Sequence, residues 1–209
     1  MNVSIIIPYK NEEKNIIYTA KKILEQNYKK YEVIFINSNS NDSSFKLLDN
    51  FIYKKKLKNF RNISKNTLYP SDSKNEGIKL SKYEYISFMD CGLKFDKNWL
   101  DKQVKFLKKN KQNIVLGNLF SSASQSFDKA VISQTWGLNR LINVIPGTLI
   151  KKNLLKKTGN FKVLRAGYDR IWILNVRQKF KVLDNKENIL KYRDKSDSNN
   201  LIKLFNKIY

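Results

Sequence analysis

Three short apolar runs, each followed at once by a polar break, constrain the fold of this chain most. The runs are rich in β-branched residues and lack polar alternation, which is typical of strands buried on both faces of a parallel sheet. They are Val3–Pro8 (VSIIIP), Tyr31–Ile36 (YEVIFI) and Glu84–Met89 (EYISFM). The sequence therefore predicts an α/β fold with a twisted, mainly parallel sheet and helices on both faces.

The stretches between these runs carry apolar residues at intervals of three and four, as on one face of a helix. We predict helices over Asn11–Asn27, Phe45–Lys56, Asp72–Lys82, Trp99–Lys109, Val131–Leu141 and Asp169–Phe180. Further strands are expected at Phe60–Ile63, Asn113–Leu119 and, after a turn, within Ile145–Ile150. A lysine-rich helix near the end of the chain has an apolar stripe at Leu201, Leu204, Phe205 and Ile208. Such a stripe packs into a core or rests on anionic lipid.

The composition limits the chemistry that the chain can perform. A chain of 209 residues has the usual size of one domain, and no stretch of linker composition divides it. The chain has no histidine and a single cysteine, Cys91, which excludes disulfide frameworks, zinc clusters and triads that contain histidine. Acid–base chemistry must therefore use a carboxylate, a lysine or a tyrosine.

The net charge of +23 suggests an anionic partner or a heavily solvated surface. Only six of the 41 basic residues are arginine, and no array of arginines and aromatics typical of nucleic-acid modules is visible. We therefore expect no nucleic-acid partner. No apolar run is long enough to span a bilayer, and the N-terminus has no signal-peptide pattern. The expectation is a cytoplasmic protein, with peripheral contact to the anionic inner membrane face as a further use of the charge.

Four polar segments lie where α/β sheets bind ligands, beyond the carboxyl ends of the strands. They are Pro8–Glu12, Asn37–Asp42, Ser73–Gly77 together with Asp90–Gly92, and Arg165–Asp169. Their order and spacing resemble glycosyltransferase family 2, and the resemblance covers nearly the whole chain. It is strong at VSIIIPYKNEEKNI, YEVIFINSNSNDSS, SKNEGIKLSKYEYISFMDCG and FDKNWL, and extends to PGTLIKKNLLKKTGNF and RAGYDRIWI.

The resemblance implies both a fold and an activity. Members have the GT-A fold, a Rossmann-like α/β domain, and move a sugar from a nucleotide-diphosphate donor to a hydroxyl acceptor. Residues 1 to about 119 would then bind the nucleotide sugar, and about 120 to 209 would form an acceptor-side half with a C-terminal helix. We expect an inverting transferase that uses a UDP-sugar and a glycan or lipid-linked acceptor in glycan or cell-envelope biosynthesis.

The resemblance also implies which residues bind the donor. Those bordering the nucleotide and its diphosphate are Pro8, Lys10, Asn11, Glu12, Asn37, Ser38, Ser40, Asp42, Lys74, Asp90 and Arg165. The family usually has two adjacent acids at the positions of Asn37 and Ser38, and the first accepts a hydrogen bond from uracil. The Asn37 amide is a weaker acceptor than a carboxylate, so the identity of the base stays open.

A further departure from the family pattern concerns the metal. Asp90 opens the family's Asp-X-Asp site, whose last acid binds Mg²⁺ or Mn²⁺, but Gly92 supplies no carboxylate there. A divalent cation bound to a diphosphate uses one or two protein carboxylates, and Asp90 is the one available locally. Two alternatives stay open: Asp90 holds the cation, or Lys74, Lys94 or Arg165 offsets the charge of the leaving diphosphate.

Asp169 matches the position of the family's general base, with Tyr168 replacing the usual glutamate before it. Inverting transfer needs one base that removes the proton of the acceptor hydroxyl, and a carboxylate suits this task. Without the resemblance, an aspartate just before an apolar-periodic stretch would be interpreted as a helix N-cap.

Two other functions compete with the transferase. Asn37, Ser38 and Gly92 stand where the family pattern has acids. Because of these losses, the chain would also fit a degenerate, non-catalytic module that binds an anionic membrane or a partner. A nucleotidyltransferase is the third alternative, but it would need a glycine-rich phosphate loop near the N-terminus, and the stretch after Pro8 has no glycine.

Overall fold

The computed structural model describes residues 1–122, 129–130, 133, 137 and 139–192. Helices over continuous described stretches are α1 (Ile16–Leu24), α2 (Ser44–Lys54), α3 (Pro70–Leu80), α4 (Trp99–Lys109), α5 (Lys152–Thr158) and α6 (Tyr168–Lys179). The strands there are β1 (Val3–Tyr9), β2 (Tyr31–Asn37), β3 (Phe60–Ser64), β4 (Tyr85–Phe88), β5 (Leu93–Lys94), β6 (Ile114–Ser121), β7 (Arg140–Lys151) and β8 (Leu183–Tyr192).

These strands form one sheet in the order β3-β2-β1-β4-β7-β6-β8-β5. The first four are parallel, with β1 between β2 and β4. Strand β7 runs antiparallel to β4 and β6, whereas β6 and β8 are parallel. Strands β1 and β2 are buried along their whole length, which is why their sequences are continuous apolar runs. The predicted α/β fold is confirmed, and the four neighbouring parallel strands β1 to β4 lie in the N-terminal half.

The two faces of the sheet pack against different helices. Side chains alternate along a strand, so Ile5 and Ile7 of β1 face one side and Ile6 faces the other. Ile5 and Ile7 belong to a core that includes buried residues of α1, α2 and α4. Ile6 belongs to a second core with buried residues of α3, α5 and α6. The prediction of helices on both faces is confirmed.

The predicted helix over Asn11–Asn27 begins later than the pattern indicates, at Ile16. The backbone of Asn11 has φ 54°, in the left-handed region, and therefore cannot belong to the helix. Residues 11–15 instead form a turn at the end of β1. Glu12 and Glu13 thus lie in this turn rather than in the first turn of the helix.

Several elements of the second half differ from the predicted pattern. Strand β5 has only two residues and α5 only seven, which is too short for a clear spacing of apolar residues. Strand β8 has the polar sequence LDNKENILKY, which shows no apolar alternation. Strand β7 extends well beyond the predicted Ile145–Ile150. The predicted helix over Val131–Leu141 lies mostly outside the described residues, and its described end, Arg140 and Leu141, belongs to β7.

The stripe at Leu201, Leu204, Phe205 and Ile208, and the C-terminal helix predicted to carry it, also lie outside the described residues. Within the described ranges, no helix combines the length and the apolar character that crossing a bilayer requires.

Gly77 sets the distance between α3 and β1. A Cβ atom at this position would lie 2.3 Å from Cγ2 of Ile6, far inside van der Waals contact. Ile6 is fully buried, so it has little space to move away. A glycine is therefore required where α3 crosses the sheet, and the approach places the start of α3 close to the ends of β1 and β2.

We predict that Gly77→Ala destabilises the protein by about 1–3 kcal/mol, because the new methyl group overpacks the contact with Ile6. In an unhindered helix the same change stabilises by about 0.5–1 kcal/mol. A destabilised variant therefore indicates that the new methyl group overpacks the contact with Ile6. Urea unfolding of wild type and variant measures it. Lys79→Ala on the exposed side of α3 is the control and should stay within about 0.5 kcal/mol of wild type. A stabilised Gly77→Ala protein would contradict the packing described here.

Candidate active site

Two cavities lie side by side at the carboxyl edge of the parallel strands. The first, of about 280 Å³, is lined by residues that follow β1 and β2 and by the start of α3. The second, of about 320 Å³, is lined by residues of β6 and β7 and by the loop before α6. Pro70, Asp90 and Tyr168 line both, so the two cavities adjoin.

The structure divides the predicted site residues among three places. The wall of the first cavity includes Pro8, Lys10, Glu12, Ser38 and Asp90. The wall of the second includes Asp90, Arg165 and Asp169. Among the described lining residues, neither wall includes Asn11, Asn37, Ser40, Asp42 or Lys74. Leu68 and Tyr69, which lie outside the four polar segments, complete the first wall together with Tyr9, Pro70, Cys91 and Tyr168.

Asn11, Ser40 and Asp42 tie the loops after β1 and β2 together, and we refer to these three residues as the loop latch. The Asn11 N–H donates to Ser40 Oγ at 3.0 Å, and the Asn41 N–H donates to Asn11 Oδ1 at 2.9 Å. The Glu13 N–H donates to Asp42 Oδ2 at 3.1 Å. These side chains satisfy backbone groups and fix the rim of the first cavity. Their role as donor ligands stays a prediction.

Asp42 also accepts hydrogen bonds from the N–H and the hydroxyl of Ser44. Partial burial alone would raise the pKa of the Asp42 carboxyl. The hydrogen bonds from Ser44 and Glu13 outweigh this effect and lower the pKa below its usual value. The loop latch is therefore held by a carboxylate that is charged at neutral pH.

Asn37 and Ser38, which stand in place of two acids, lie in neutral surroundings. The buried Asn37 amide accepts the N–H of Ser40 at 3.1 Å. The Ser38 hydroxyl lies 2.6 Å from that of Ser73 and accepts from Thr67 at 2.9 Å, all three being buried. A carboxylate in this buried hydroxyl cluster would lose much of its hydration. A bound base would therefore meet neutral hydrogen-bonding groups here.

Lys74 lies behind the wall that the two cavities share, and it is 1% exposed. Its Nζ donates to Asp90 Oδ1 at 3.0 Å and to Tyr168 Oη at 3.1 Å. Burial alone would lower the pKa of Lys74, but the nearby Asp90 carboxylate and Tyr168 reverse the effect, so the pKa is raised. Lys74 is thus a buried cation held by two residues of the cavity wall, not a solvated surface lysine.

The first turns of α3 hold the loop that leads to α6. The Asn75 amide donates to the carbonyl of Phe161 at 2.9 Å and accepts the Phe161 N–H at 3.0 Å. The Ser71 hydroxyl likewise donates to the Leu164 carbonyl and accepts the Leu164 N–H. Phe161 packs edge-to-face against Tyr168 with ring centres 6.0 Å apart. These contacts position the fourth polar segment beside the second cavity.

Helix α6 starts at Tyr168, directly after Gly167, whose φ of 77° lies in the left-handed region. Asp169 belongs to the first turn of α6, and its Oδ1 accepts the N–H of Arg170 at 2.8 Å. The residue at the N-cap position is Gly167, so the interpretation of Asp169 as an N-cap is wrong. Burial raises the pKa of the Tyr168 phenol, although Lys74 acts in the opposite direction, so the phenol is neutral.

The Asp90 carboxylate, which the family pattern assigns to a divalent cation, is poorly placed to bind one. Within the described ranges, no three His, Cys, Asp or Glu side chains are grouped so that they could hold a metal. One oxygen of Asp90 already accepts from the Lys74 ammonium group, and a cation bound to the other oxygen would be repelled by it. Gly92 has φ 79°, a left-handed conformation that favours glycine over an acidic residue.

The sequence model of the family described as Glycosyl transferase family 2 matches residues 4–172. A poly(ribitol-phosphate) beta-glucosyltransferase of Bacillus spizizenii is 30% identical in an alignment of 196 positions that covers 87% of this chain and 30% of that protein. The poly(ribitol-phosphate) beta-N-acetylglucosaminyltransferase TarP of Staphylococcus aureus is 31% identical in an alignment of 136 positions that covers 63% of this chain and 41% of that one. The chain therefore spans less than half the length of these two relatives.

Solved structures share the fold. TarS of S. aureus in complex with UDP-GlcNAc has a TM-score of 0.71 at 18% identity, covering 94% of this chain and 60% of that one. The mannosyltransferase PcManGT of Pyrobaculum calidifontis, in complex with GDP-Man and Mn²⁺, also has a TM-score of 0.71, at 16% identity, covering 94% and 58%. The predicted GT-A fold is confirmed by these likenesses.

We predict that Asp42→Asn destabilises the protein by about 1 kcal/mol at pH 7, because it weakens charge-assisted hydrogen bonds in the loop latch. The folded-state pKa of Asp42 is lowered from 3.8, so the carboxylate stabilises above that pH and loses its effect as the pH falls through the folded-state value. Urea unfolding at several pH values should show the difference from wild type shrinking below about pH 4. Exposed Asp49→Asn is the control. Equal stability of wild type and Asp42→Asn at pH 7 would show that the latch depends on other contacts.

Proposed function

Because the chain belongs to Glycosyl transferase family 2, we propose that it transfers a sugar, with inversion, from a UDP-sugar to a hydroxyl of a glycan acceptor in cell-envelope biosynthesis. The observation that carries the proposal is the pair of adjoining cavities. They meet at Asp90 and Tyr168, and Asp169 lines only the second. A donor can thus occupy the first cavity with its sugar reaching into the second, where an acid faces the acceptor.

The first cavity suits a nucleoside. The aromatic side chain of Tyr69 and the hydroxyl of Ser38 offer apolar and hydrogen-bonding surface to a base. The side chain of Asp90 is 44% exposed, and its outer oxygen can accept a hydrogen bond from a ribose hydroxyl. Uridine as the nucleoside is supported by the TarS structures, which are complexes with UDP-GlcNAc and with UDP.

Asp169 is the general base of the proposed reaction. The acceptor oxygen attacks the anomeric carbon from the side opposite the diphosphate, and the Asp169 carboxylate takes the proton of the acceptor hydroxyl. The electron pair of the broken bond to the anomeric carbon stays on the diphosphate. Arg165 shares the second cavity and brings a guanidinium, the group best suited to phosphate oxygens, to the same wall.

The acceptor that we propose is a phosphate-rich glycan. Two relatives are named for poly(ribitol-phosphate), and a net charge of +23 attracts a polyanionic polymer. A lipid-linked acceptor, a cytoplasmic location and contact with an anionic membrane face stay predictions from the sequence. A non-catalytic binding module would not need two carboxylates, Asp90 and Asp169, in adjoining cavities, which favours the transferase.

We predict that the protein binds UDP with a dissociation constant in the micromolar to millimolar range, as is usual for substrate affinities. Calorimetry with UDP, GDP and dTDP measures binding and base preference. Incubation with a panel of UDP-, GDP- and dTDP-sugars, followed by detection of the released nucleoside diphosphate, measures turnover. Binding of none of these ligands would count against the transferase and favour the non-catalytic module.

We predict that Asp169→Asn lowers kcat by about 10²–10⁴-fold while the affinity for UDP changes less than about twofold. The amide keeps the shape of the side chain but cannot accept the proton. The rate of UDP release from a UDP-sugar that the wild-type protein turns over gives kcat. Calorimetry gives the affinity for UDP. Asp101→Asn on α4 is the matched control and should retain wild-type kcat. Normal turnover by Asp169→Asn would show that another group is the base.

A further inference from the structure

Tyr168 is placed where the two cavities meet, and it makes a contact that restricts its hydrogen bonding. It lines both cavities, and its hydroxyl lies 3.1 Å from the ammonium group of Lys74. An ammonium group can only donate hydrogen bonds, so the Tyr168 oxygen must be the acceptor in this contact. The phenolic hydrogen is therefore left for a different acceptor. Tyr168 thus lines both cavities and keeps a hydrogen that the contact with Lys74 does not use.

The junction is also where the charge of the proposed reaction develops. With the nucleoside in the first cavity and the acceptor beside Asp169 in the second, the diphosphate and the anomeric carbon must lie between them. When the bond from the anomeric carbon to the diphosphate oxygen breaks, that oxygen keeps the electron pair and gains negative charge. Preorganised donors aimed at such an oxygen are among the strongest sources of catalysis.

We propose that Tyr168 is a catalytic residue that donates a hydrogen bond to the leaving diphosphate, so that transfer proceeds without a divalent cation, and that Lys74 positions it. This inference rests on the proposed function. Asp90, the acid that the family pattern assigns to the cation, is poorly placed to bind one, because it is already paired with Lys74. Tyr168 is not the base: the acceptor proton goes to Asp169, and Tyr168 keeps its own proton throughout.

Lys74 acts on the reaction through Tyr168 and does not reach the ligand itself. It is buried, and the described walls of the two cavities do not include it. Its contact occupies a lone pair of the Tyr168 oxygen and polarises the O–H bond, which strengthens the bond that Tyr168 donates. The Asp90 carboxylate compensates the buried charge, so that Lys74 can stay protonated behind the wall.

The test is Tyr168→Phe, which removes one oxygen atom and leaves the ring in its packing against Phe161. We expect kcat for UDP release to fall by about 10²-fold, the usual effect of losing one donor to a developing anion. The affinity for UDP, which carries the same diphosphate, should fall as well. Added Mn²⁺ or Mg²⁺ should not restore the rate. Wild-type turnover should be unchanged by a chelator such as EDTA, and this measurement depends on no variant.

Tyr31→Phe is the matched control. The buried hydroxyl of Tyr31 donates to the carbonyl of Ile23 at 3.0 Å. Tyr31 is the first residue of β2, at the edge of the sheet opposite the two cavities. Both variants lose a buried hydrogen bond and should melt slightly below wild type, but only Tyr168→Phe should lose activity. This comparison separates a catalytic role from a structural one.

Different outcomes would overturn different claims. Wild-type kcat in Tyr168→Phe, or a fall in kcat equal to that of Tyr31→Phe, would remove Tyr168 from the mechanism. Turnover by the wild-type protein that requires Mn²⁺ or Mg²⁺ would show that a cation stabilises the leaving group, and the inference would be wrong while the proposed function stood. Absence of both UDP binding and donor turnover in the wild-type protein would instead overturn the proposed function.

Discussion

A buried ammonium group connects the parts of this protein on which the site depends. Lys74 extends from α3, Asp90 follows β4, and Tyr168 begins α6, so one hydrogen-bonded cluster joins a helix, a strand end and the loop of the second half. Burying this charge is costly unless both partners are in place, because an ammonium group loses its hydration inside the protein. The cluster therefore requires the correct packing of all three elements. It also defines the wall that both cavities share.

The parallel half of the sheet could be predicted because it obeys one simple rule. Strands buried on both faces need continuous apolar sequences, and Val3–Pro8 and Tyr31–Ile36 have them. The other half could not be predicted in the same way. Leu183–Tyr192 pairs on both sides yet is rich in polar residues, since asparagines such as Asn185 and Asn188 bond to helix α4 and neighbouring groups from inside the structure. Tertiary hydrogen bonds of this kind leave no periodic signal in the sequence.

The site was predicted as a set of segments more accurately than as a set of side chains. All four polar segments lie around the two cavities, but Asn11, Ser40 and Asp42 use their polar atoms to join loops to each other. Whether a polar side chain faces a ligand or its own backbone depends on loop geometry, which the sequence does not specify. Lys74 shows the same difficulty, because a lysine among 41 basic residues gives no sign that it is buried. Asp169, by contrast, lies on the wall of the second cavity, and its role as the base stays a prediction.

The hydrogen bonds between α3 and the loop before α6 have a kinetic consequence. The first turn of α3 contributes Pro70 to the wall of the first cavity, and the neighbouring Ser71 and Asn75 hold the backbone of Leu164 and Phe161. Under the proposed function, any rearrangement of that turn when a nucleotide enters would be carried by these bonds to the segment that bears Asp169. Recognition of the two proposed substrates would then be linked, and such a linkage favours an obligatory order of addition, in which the first substrate to bind shapes the site for the second.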